Sequence, residues 1–419
     1  MTRTVRIEKL APTGEGIART ADGIGFIDRA LPGELVETNV YEVRRSFWRG
    51  SLRAVRERSR DRLETPHAPC GGCDWAHFEP SAARDAKREL FFETMRRIGK
   101  LDSDLFGELP VAPSSEGYRL RTRFHVAGRR DGVMLGFFAP GSHRVVPASD
   151  CAAVSRQTRA VLPALRAAVA DSGAGVSEVA ILEDIAGERR LLRASVSGNA
   201  LEQATLGEIL AGSFGGVRIE TAEGGVLLER GARTLRLEVG GRPFAVSVDT
   251  FFQANRHLVS LLFADVEEEA RRVSASEALD AFGGVGLFAG ALLSAGHRVT
   301  SIESEAGAVA DARKTRELWP DRDRWNVIAS DVGPFLEEGR RFECVVADPP
   351  RAGLGSTLSH DLARRTGRLI IYVSCDPATL ARDLSVIRRE GFEIRRAALY
   401  DLFAFTHRIE AMVSLERVA

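Results

Sequence analysis

Cys375 is the residue whose surroundings most clearly indicate chemistry. It lies in the segment VSCDP, where a predicted core strand ends and a proline turn begins. A thiol at that position faces the crevice above a sheet and not its packed interior. Cys344, by contrast, lies in the middle of an apolar segment and fits the usual role of a free cysteine as a small buried hydrophobic residue. We therefore predict that Cys375 is a nucleophile.

Acidic side chains end the strands predicted before this cysteine. Four successive strands close on Asp280, Glu303, Asp331 and Asp348, and Cys375 closes the fifth. Open α/β sheets bind their ligands outside the carboxyl ends of the strands. We therefore expect all five residues to meet in one crevice.

The segment DAFGGVG, residues 280–286, follows the first of these strands and opens a helix. Its glycines allow a ligand to approach the backbone closely, and Glu303 is placed to accept hydrogen bonds from ribose hydroxyls. Nicotinamide-dependent dehydrogenases share this layout, so hydride transfer stays open at this point. S-adenosylmethionine carries no phosphate, and it suits a helix N-terminus that lacks the full phosphate-binding glycine set. The segment therefore favours S-adenosylmethionine as cofactor.

Asp348 begins the segment DPPR, in which two prolines fix the direction of the backbone at a strand end. Such a rigid loop can hold a planar base beside the cofactor. Enzymes that methylate amino groups place an aromatic residue after a similar pair of prolines, whereas this chain has Arg351. Amino-group methylation is therefore an alternative that this segment disfavours.

Glu410 is a single acid in the otherwise apolar segment IEAMV. An acid on the exposed face of an edge strand would give the same pattern. Covalent chemistry offers a second explanation, because C5 of uracil is a poor nucleophile until a thiolate adds to C6. A base must then remove the C5 proton so that the thiol can leave. We predict that Cys375 is this thiol and Glu410 this base.

The patterning of apolar residues divides the chain into three regions. Residues 241–419 alternate strands and helices, which predicts an α/β, Rossmann-like domain with a mostly parallel, seven-stranded sheet. Residues 1–58 contain short alternating segments and glycine-rich turns, which predict a small β-barrel. Residues 59–240 combine strands, a cysteine-containing loop and a helix over residues 82–98, which predicts a central α+β domain.

Basic patches predict contact with RNA, although 58 basic and 58 acidic residues give a net charge of zero. Residues 44–62 are rich in arginine, and Phe47 and Trp48 lie among them. Cationic side chains interleaved with aromatic rings are typical of surfaces that bind single-stranded nucleic acid. A solvated, charged edge strand would have the same composition.

A second basic row lies in the central region. Arg119, Arg121 and Arg123 alternate along YRLRTRFHV, with His125 continuing the row. On a strand, alternate residues share one face. We predict that this face follows the phosphates of an RNA.

The five cysteines are an odd number, which argues against a disulfide framework and favours metal binding or nucleophilic chemistry. No segment predicts a membrane span or a signal peptide, so we expect a cytoplasmic protein. We further expect a monomer that binds RNA and has no obligate protein partner.

These motifs are similar to those of the RNA 5-methyluridine methyltransferase family over nearly the whole chain. The segment ALPGE resembles part of a TRAM domain, GYRLRTRFHV and GSHRVVPASDC resemble the central RNA-binding region, and FFQAN resembles the motif that opens the catalytic domain. DPPRAGL, SCDPATLARDL and DLFAFTHRIE resemble the three closing motifs. The resemblance implies a class I methyltransferase fold that uses S-adenosylmethionine to methylate C5 of a uridine in RNA.

The resemblance also implies residue roles, with Cys375 as nucleophile and Glu410 as base. The residues that would bind the cofactor or line its pocket are Gln253, Phe282, Glu303 and Asp348, with Asp331 or its neighbour Ser330 near the adenine. The chain departs from the family at three positions. Leu287 stands where asparagine is frequent, and Ala404 and Phe405 replace residues that are commonly proline and histidine.

Cys70, Cys73 and Cys151 match three of the four cysteines that hold an iron–sulfur cluster in related enzymes. The family's first cysteine would fall at Glu64, and no cysteine is nearby. A [4Fe–4S] cluster normally takes four cysteine ligands. We expect a cluster whose fourth ligand is Glu64 or His67, with a zinc site or an empty remnant as alternatives.

The family modifies both transfer RNA and large-subunit ribosomal RNA. The separate TRAM-like domain and the cysteine-containing loop favour 23S ribosomal RNA. An RNA-binding protein without catalytic activity is a further alternative, which intact Cys375, Glu410 and Asp348 disfavour.

Overall fold

The computed structural model describes residues 1–64, 70–129, 132–198, 200–274 and 276–418. Within these ranges the strands form three large sheets and one two-stranded hairpin. No helix in the described ranges is both long and apolar enough to cross a lipid bilayer.

The N-terminal sheet has six strands, mostly antiparallel, around a small apolar core. Ile27, Val36 and Trp48 belong to this core, because every second residue of their strands faces inward. Trp48 is only 1% exposed, so the prediction that it contributes to an RNA-binding surface is wrong. In sheet order β1-β5-β6-β4-β3-β2, the strands are β1 (Thr2–Arg6), β2 (Lys9–Leu10), β3 (Gly16–Thr20), β4 (Gly23–Asp28), β5 (Leu35–Val43) and β6 (Phe47–Glu57).

A long helix follows the N-terminal sheet. The helix predicted over residues 82–98 is observed as α1 (Pro80–Thr94), which continues as a π-helical turn over Met95–Gly99. The Glu79 side chain caps its N-terminus by accepting from the Ala82 backbone N–H at 2.8 Å. Phe91 and Met95 pack in the core of the C-terminal sheet, so the helix is held against that sheet.

The central sheet packs against two helices through one apolar cluster. Leu162 and Leu165 of the first helix and Leu206 of the second meet Phe124 and Val179 of the sheet. The sheet order is β10-β9-β8-β11-β12-β13-β14. The elements are β7 (Val111–Ala112), β8 (Arg121–Arg129), β9 (Gly132–Phe138), β10 (Val145–Pro147), α2 (Arg156–Asp171), β11 (Gly175–Glu183), β12 (Arg190–Ser197), α3 (Ala200–Ala211), β13 (Gly216–Glu220) and β14 (Val226–Gly231).

A hairpin of β15 (Leu235–Val239) and β16 (Arg242–Val246) leads into the C-terminal domain. Its two-residue turn is Gly240-Gly241, with φ angles of 58° and 73°. Both angles lie in the left-handed region that a tight type I′ hairpin turn requires, which explains the paired glycines.

The C-terminal sheet confirms the predicted α/β fold and adds one strand to it. Six of the domain's own seven strands run in the same direction, and the last one along the chain lies antiparallel between the fifth and the sixth. Strand β7 from the central region pairs in parallel with the sixth, at the side of the sheet, as an eighth strand. The sheet order is β19-β18-β17-β20-β21-β23-β22-β7. Its elements are α4 (Val259–Ala270), β17 (Glu277–Ala281), α5 (Leu287–Ser294), β18 (Arg298–Glu303), α6 (Ala306–Glu317), β19 (Trp325–Ala329), α7 (Val332–Glu337), β20 (Phe342–Ala347), α8 (Gly355–Arg365), β21 (Thr366–Ser374), α9 (Pro377–Arg389), β22 (Phe392–Tyr400) and β23 (Glu410–Arg417).

Candidate active site

Cys375 and Glu410 lie side by side where the parallel strands of the C-terminal sheet end. Cys375 directly follows β21, and Glu410 is the first residue of the antiparallel neighbour β23. Asp376 then starts α9, because its side chain accepts from the Ala378 and Thr379 backbone N–H groups at 2.8 and 3.0 Å. The thiol is thus half-buried between a strand end and a capped helix.

Two carboxyl groups face this thiol. Glu410 is 2% exposed, and burial together with the neighbouring Asp348 raises its pKa well above the ordinary value. Burial also raises the pKa of Asp348, against a hydrogen bond of 3.0 Å from Gln253 Nε2. A proton is therefore readily held between the two carboxyl groups near neutral pH. This arrangement supplies a protein group that can take up or keep a proton next to the thiol.

The thiol of Cys375 is protonated at neutral pH. Burial raises its pKa to about 11, the charge of Glu410 adds to this, and the guanidinium of Arg351 opposes it through charge and a hydrogen bond. Arg408 lies nearby: burial and Arg351 lower the pKa of Arg408, whereas Cys375 raises it. Arg351 and Arg408 were not predicted as functional residues. Their positions beside two motifs, in DPPR and HRIE, were the available signal.

The loop that carries Arg351 is fixed from below by Asp383, a fully buried residue of α9. Asp383 Oδ2 accepts from the Leu354 backbone N–H at 2.7 Å and from the Tyr372 hydroxyl at 2.8 Å. Gly353 has a φ of 70°, and a Cβ there would lie 2.5 Å from the same oxygen. Only glycine allows the chain to pass this close, so the loop after Asp348 has one available path.

A cradle for the cofactor lies at the ends of β17 and β18. Glu303 accepts from the Gly284 backbone N–H at 2.9 Å and from the Glu305 backbone N–H at 2.8 Å. A Cβ on Gly284 would meet no atom within 4 Å, so the space above this glycine is open. Phe282 adopts a φ of 65°, a strained value for a non-glycine residue that is typical of functional turns.

Asp280 lies directly beneath this cradle and is fully buried. Its Oδ2 accepts from the Ala289 backbone N–H at 3.0 Å and the Ser301 hydroxyl at 3.1 Å, whereas its buried Oδ1 has no hydrogen-bond partner among the described residues. Burial raises the pKa of Asp280 to about 7. Asp331 begins α7 with an exposed side chain, and the Ser330 backbone N–H donates to the Glu303 carbonyl at 3.0 Å.

The residues of the cradle fit S-adenosylmethionine. The cradle offers an open glycine, a carboxylate at the next strand end and a buried carboxyl oxygen without a hydrogen-bond partner among the described residues. These groups suit the uncharged ribose and the positively charged sulfonium of this cofactor better than they suit a diphosphate. When bound, this cofactor supplies an electrophilic methyl group.

The three remaining half-buried cysteines lie together around Arg119. A hydrogen bond between the thiols of Cys70 and Cys73 lowers the pKa of Cys70 and raises that of Cys73. Burial raises the pKa of Cys151. The guanidinium of Arg119 lowers the pKa of all three thiols, so a cation already lies beside them.

These residues do not fit the predicted iron–sulfur cluster. The side chain of Glu64 is 88% exposed and pairs with Arg58 at 3.2 Å, and His67 lies outside the described residues. Across the parts of the chain that the structure describes, no group of three or more histidine, cysteine or acidic side chains is arranged to hold a metal ion. Three cysteines beside a guanidinium lack the fourth thiolate that such a cluster normally takes.

The predicted row of arginines is dispersed by the fold. Arg121 Nη1 donates to the carbonyls of Val248 and Thr250 at 3.3 and 2.7 Å, and Arg119 faces the cysteines. Arg123 stays exposed beside Glu178 at 3.4 Å, and the ring of His125 stacks on Phe138 with centroids 3.7 Å apart. The prediction of a continuous phosphate track is therefore wrong for Arg119 and Arg121.

Comparison with known families finds two matches along the chain. The family described as tRNA (uracil-5-)-methyltransferase matches residues 336–418, which include Asp348, Cys375 and Glu410. The TRAM domain matches residues 1–53.

Similar proteins match over almost the full length. An uncharacterized RNA methyltransferase of Streptomyces avermitilis is 31% identical over 99% of this chain and 98% of its own. A 23S rRNA (uracil(1939)-C(5))-methyltransferase of Halomonas elongata is 31% identical over 99% of this chain and 89% of its own. Among solved structures, the tRNA (uracil-54, C5)-methyltransferase of Pyrococcus abyssi with S-adenosyl-L-homocysteine has a TM-score of 0.79 at 21% identity, covering 98% of this chain and 99% of that one. This last likeness shows the shared fold.

Proposed function

The chain belongs to the RNA (uracil-5-)methyltransferase family, and from this premise we propose that it methylates a uridine of 23S ribosomal RNA through a covalent adduct with Cys375. The family establishes S-adenosylmethionine-dependent transfer of a methyl group to C5 of uracil in RNA. The observation that carries the finer proposal is the half-buried thiol of Cys375 next to the buried carboxyl group of Glu410 and the guanidinium of Arg351.

The reaction begins with activation of the thiol. Its raised pKa means that almost no thiolate exists in the free enzyme at neutral pH. The thiol proton leaves to solvent, which reaches this half-buried cysteine. Arg351 opposes the raised pKa through its charge and a hydrogen bond, and it stabilises the thiolate as the sulfur adds to C6 of the uracil. Addition to C6 moves electron density to C5 and the neighbouring carbonyl oxygen. S-adenosylmethionine, held by the residues of the cradle, would supply its methyl group to this C5 and would leave as S-adenosylhomocysteine.

The adduct now carries both hydrogen and methyl on C5. Glu410 removes this proton, the double bond between C5 and C6 re-forms, and the Cys375 sulfur leaves as thiolate. Burial and the neighbouring Asp348 raise the proton affinity of Glu410, which strengthens it as a base. It must begin this step unprotonated, and the nearby Arg351 cation favours that state.

Asp348 and Gln253 hold the uracil ring in this proposal. Their side chains share a hydrogen bond of 3.0 Å and are anchored on different segments of the domain. A protonated Asp348 or the Gln253 amide can donate to a uracil carbonyl, and the Gln253 oxygen can accept from a ring N–H. Phe282, Glu303 and Asp331 would line the cofactor site next to them.

The choice of ribosomal RNA rests on the Halomonas elongata relative, whose name states that substrate. In this proposal residues 1–58 and 59–240 are the RNA-binding domains and residues 241–419 the methyltransferase domain. Arg123, His125 and Phe138 are accessible or half-buried groups through which the central domain would contact the RNA.

The test compares the wild type, Cys375→Ala and Cys344→Ala. Each is incubated with labelled S-adenosylmethionine and RNA that lacks 5-methyluridine, with ribosomal and transfer RNA in separate reactions. We expect labelled 5-methyluridine in 23S RNA with the wild type and the Cys344 variant, and none with Cys375→Ala. Cys344 is the matched control because it is a buried cysteine of the neighbouring strand β20.

Three outcomes would contradict the proposal. Label in transfer RNA alone would overturn the ribosomal substrate. Activity that survives Cys375→Ala would overturn the covalent mechanism. Label in a nucleoside methylated on an amino group would overturn the assignment of uracil C5 for this chain.

A further inference from the structure

Residues 401–409 connect β22 to β23 and end directly at Glu410; we call them the closing loop. Tyr400 and Glu410 are paired across the two strands, so the loop is the turn of a hairpin whose return strand begins with Glu410. The position of the Glu410 carboxyl group therefore depends on the backbone path of this loop.

The closing loop is held by donors from outside the hairpin. Four consecutive carbonyl groups, those of Leu402, Phe403, Ala404 and Phe405, accept from Asn255 Nδ2 at 3.0 Å, Lys87 Nζ at 3.3 Å, the Tyr118 hydroxyl at 3.3 Å and the Trp75 backbone N–H at 2.9 Å. These donors come from the start of the catalytic domain, from α1, from the segment before β8 and from the cysteine-containing loop, which carries Cys70 and Cys73 and precedes α1. Each carbonyl is thus tied to a different part of the molecule.

Of these four donors, Lys87 alone carries a charge. Its ammonium also pairs with Asp401 at 2.5 Å, and the two side chains are only 1% and 8% exposed. Lysine is almost never fully buried unless it is paired. A buried ammonium that reaches from α1 to both the first residue and the third residue of the closing loop fixes the loop at its root.

Two further features show that the loop is held in a defined shape. Phe405 has a φ of 67°, which a non-glycine residue keeps only when its surroundings enforce it. The ring of His407 contacts the Asp74 carboxylate, and the His407 backbone N–H donates to the same side chain at 3.3 Å. The cysteine-containing loop therefore also holds the second half of the closing loop, through Asp74 and His407.

We infer that Lys87 and Tyr118 are positioning residues for Glu410, which hold the closing loop so that the base reaches C5 of the methylated adduct. This inference rests on the proposed function. Neither residue contacts the reacting atoms; both act through the backbone of the closing loop. Since the base acts after methyl transfer, its misplacement slows release of the product and spares the formation of the adduct.

The experiment measures two quantities for each variant with the RNA that the wild type methylates. One is steady-state turnover. The other is the fraction of enzyme that migrates as a covalent protein–RNA complex on a denaturing gel after mixing with S-adenosylmethionine and RNA. We compare the wild type, Lys87→Met, Tyr118→Phe and, as matched control, Arg88→Met, which changes an exposed residue of the same helix.

For Lys87→Met we expect turnover to fall by about 100-fold, the scale of a misplacement of roughly 1 Å at a reacting group. The covalent fraction should rise, and the adduct should contain the labelled methyl group. Tyr118→Phe removes an uncharged hydroxyl that bonds the closing loop and Arg119, and it should show the same pattern to a smaller degree. Arg88→Met should match the wild type in both measurements.

A merely structural role would lower turnover and covalent fraction together, and that result overturns the inference. If Lys87→Met does not fold, as judged by circular dichroism, Tyr118→Phe decides: an unchanged ratio of covalent fraction to turnover overturns the inference. A wild type that forms no 5-methyluridine would instead overturn the proposed function, so the two failures are distinguishable.

Discussion

The active-site cysteine and the cysteine-containing loop combine the same residue types with opposite electrostatics. In the active site, burial and then the neighbouring carboxyl groups of Glu410 and Asp348 raise the pKa of Cys375 to about 11. In the loop, Cys70 receives a hydrogen bond from Cys73 and feels the charge of Arg119, and its pKa falls. Both thiols lie near a guanidinium, so the arginine alone does not decide which becomes a thiolate.

A lowered thiol pKa and a place in the proposed catalytic site are therefore separate properties of a cysteine. The loop thiol is the better thiolate at neutral pH, whereas the proposed base, Glu410, lies beside the other cysteine. In the proposed mechanism, the thiol of Cys375 stays a poor thiolate until a substrate accepts its electrons and Arg351 stabilises the developing charge. A protected nucleophile of this kind avoids oxidation between turnovers, because thiolates and not thiols react.

The largest effect is expected when Glu410, the proposed base, is replaced. Glu410→Gln removes proton abstraction but keeps the size of the side chain, and we expect turnover to fall by about 10²–10⁴-fold, the usual contribution of a general base. The matched control is Glu416→Gln on the same strand, where the acid pairs with Arg368 at 3.2 Å on the surface. Turnover measured with saturating RNA and cofactor checks the prediction. Similar losses in both variants would show that strand β23 tolerates no change, and the role of Glu410 would lose its support.

The alkylation rates of Cys70 and Cys375 test the difference between the pKa values of the two thiols. A pKa of about 11 leaves about one molecule in 10⁴ of Cys375 as thiolate at pH 7. Iodoacetamide should therefore modify Cys70 faster than Cys375 by about tenfold or more, because the higher nucleophilicity of a more basic thiolate recovers only part of the difference. Peptide mapping by mass spectrometry measures both rates.

The pH dependence of the same reaction gives the sign of the shift. A raised pKa means that alkylation of Cys375 accelerates with each step of pH from 7 towards 11, whereas alkylation of Cys70 has already levelled off. Arg351→Met removes the opposing charge, so it should slow the modification of Cys375 at a given pH. Equal rates for Cys70 and Cys375 at pH 7 would contradict the electrostatic difference described here.

The smallest effect is expected when the loop cysteines are removed. The triple variant Cys70→Ser, Cys73→Ser and Cys151→Ser should lose about 1–3 kcal/mol of stability, because half-buried thiols are replaced by more polar groups. Its turnover should stay close to that of the wild type at temperatures where it is folded. Thermal unfolding and the methylation assay measure the two effects.

Iron analysis of the anaerobically purified wild type should find no stoichiometric iron. Four iron atoms per chain would contradict the conclusion that these residues do not fit a cluster.

Much of the catalytic domain followed from local pattern. Strands that alternate with helices predicted the α/β sheet, and polar residues at the strand ends predicted the neighbourhood of Asp280, Glu303, Asp348 and Cys375. Each of these inferences uses a rule in which chain position fixes spatial position, because the carboxyl ends of parallel strands share one edge. The assignment of Gln253, Phe282 and Asp331 to the cofactor pocket came from motif resemblance. For Phe282 and Asp331 it stays a prediction, whereas the hydrogen bond from Gln253 to Asp348 led us to propose that Gln253 contacts the uracil ring.

Surface and contact roles did not follow from local pattern. Trp48, in a basic segment, proved to be a core residue, because strand alternation turns it into the barrel. Arg121 alternates with Arg123, yet it bonds carbonyls more than 120 residues away, at Val248 and Thr250. A sequence shows that an arginine can bind phosphate, but only the fold shows which acceptors already surround it.

Residue types and local periodicity were enough to predict the groups that the proposed chemistry uses, namely a thiol, two acids and a glycine turn at the ends of predicted strands. Only the three-dimensional packing reveals how the loop before Glu410, the proposed base, is held. Lys87, Tyr118 and Asn255 reach the closing loop across 316, 286 and 147 positions of the chain. No local pattern encodes contacts at such separations, because they form only when the packing of whole domains brings the three donors to three successive carbonyl groups.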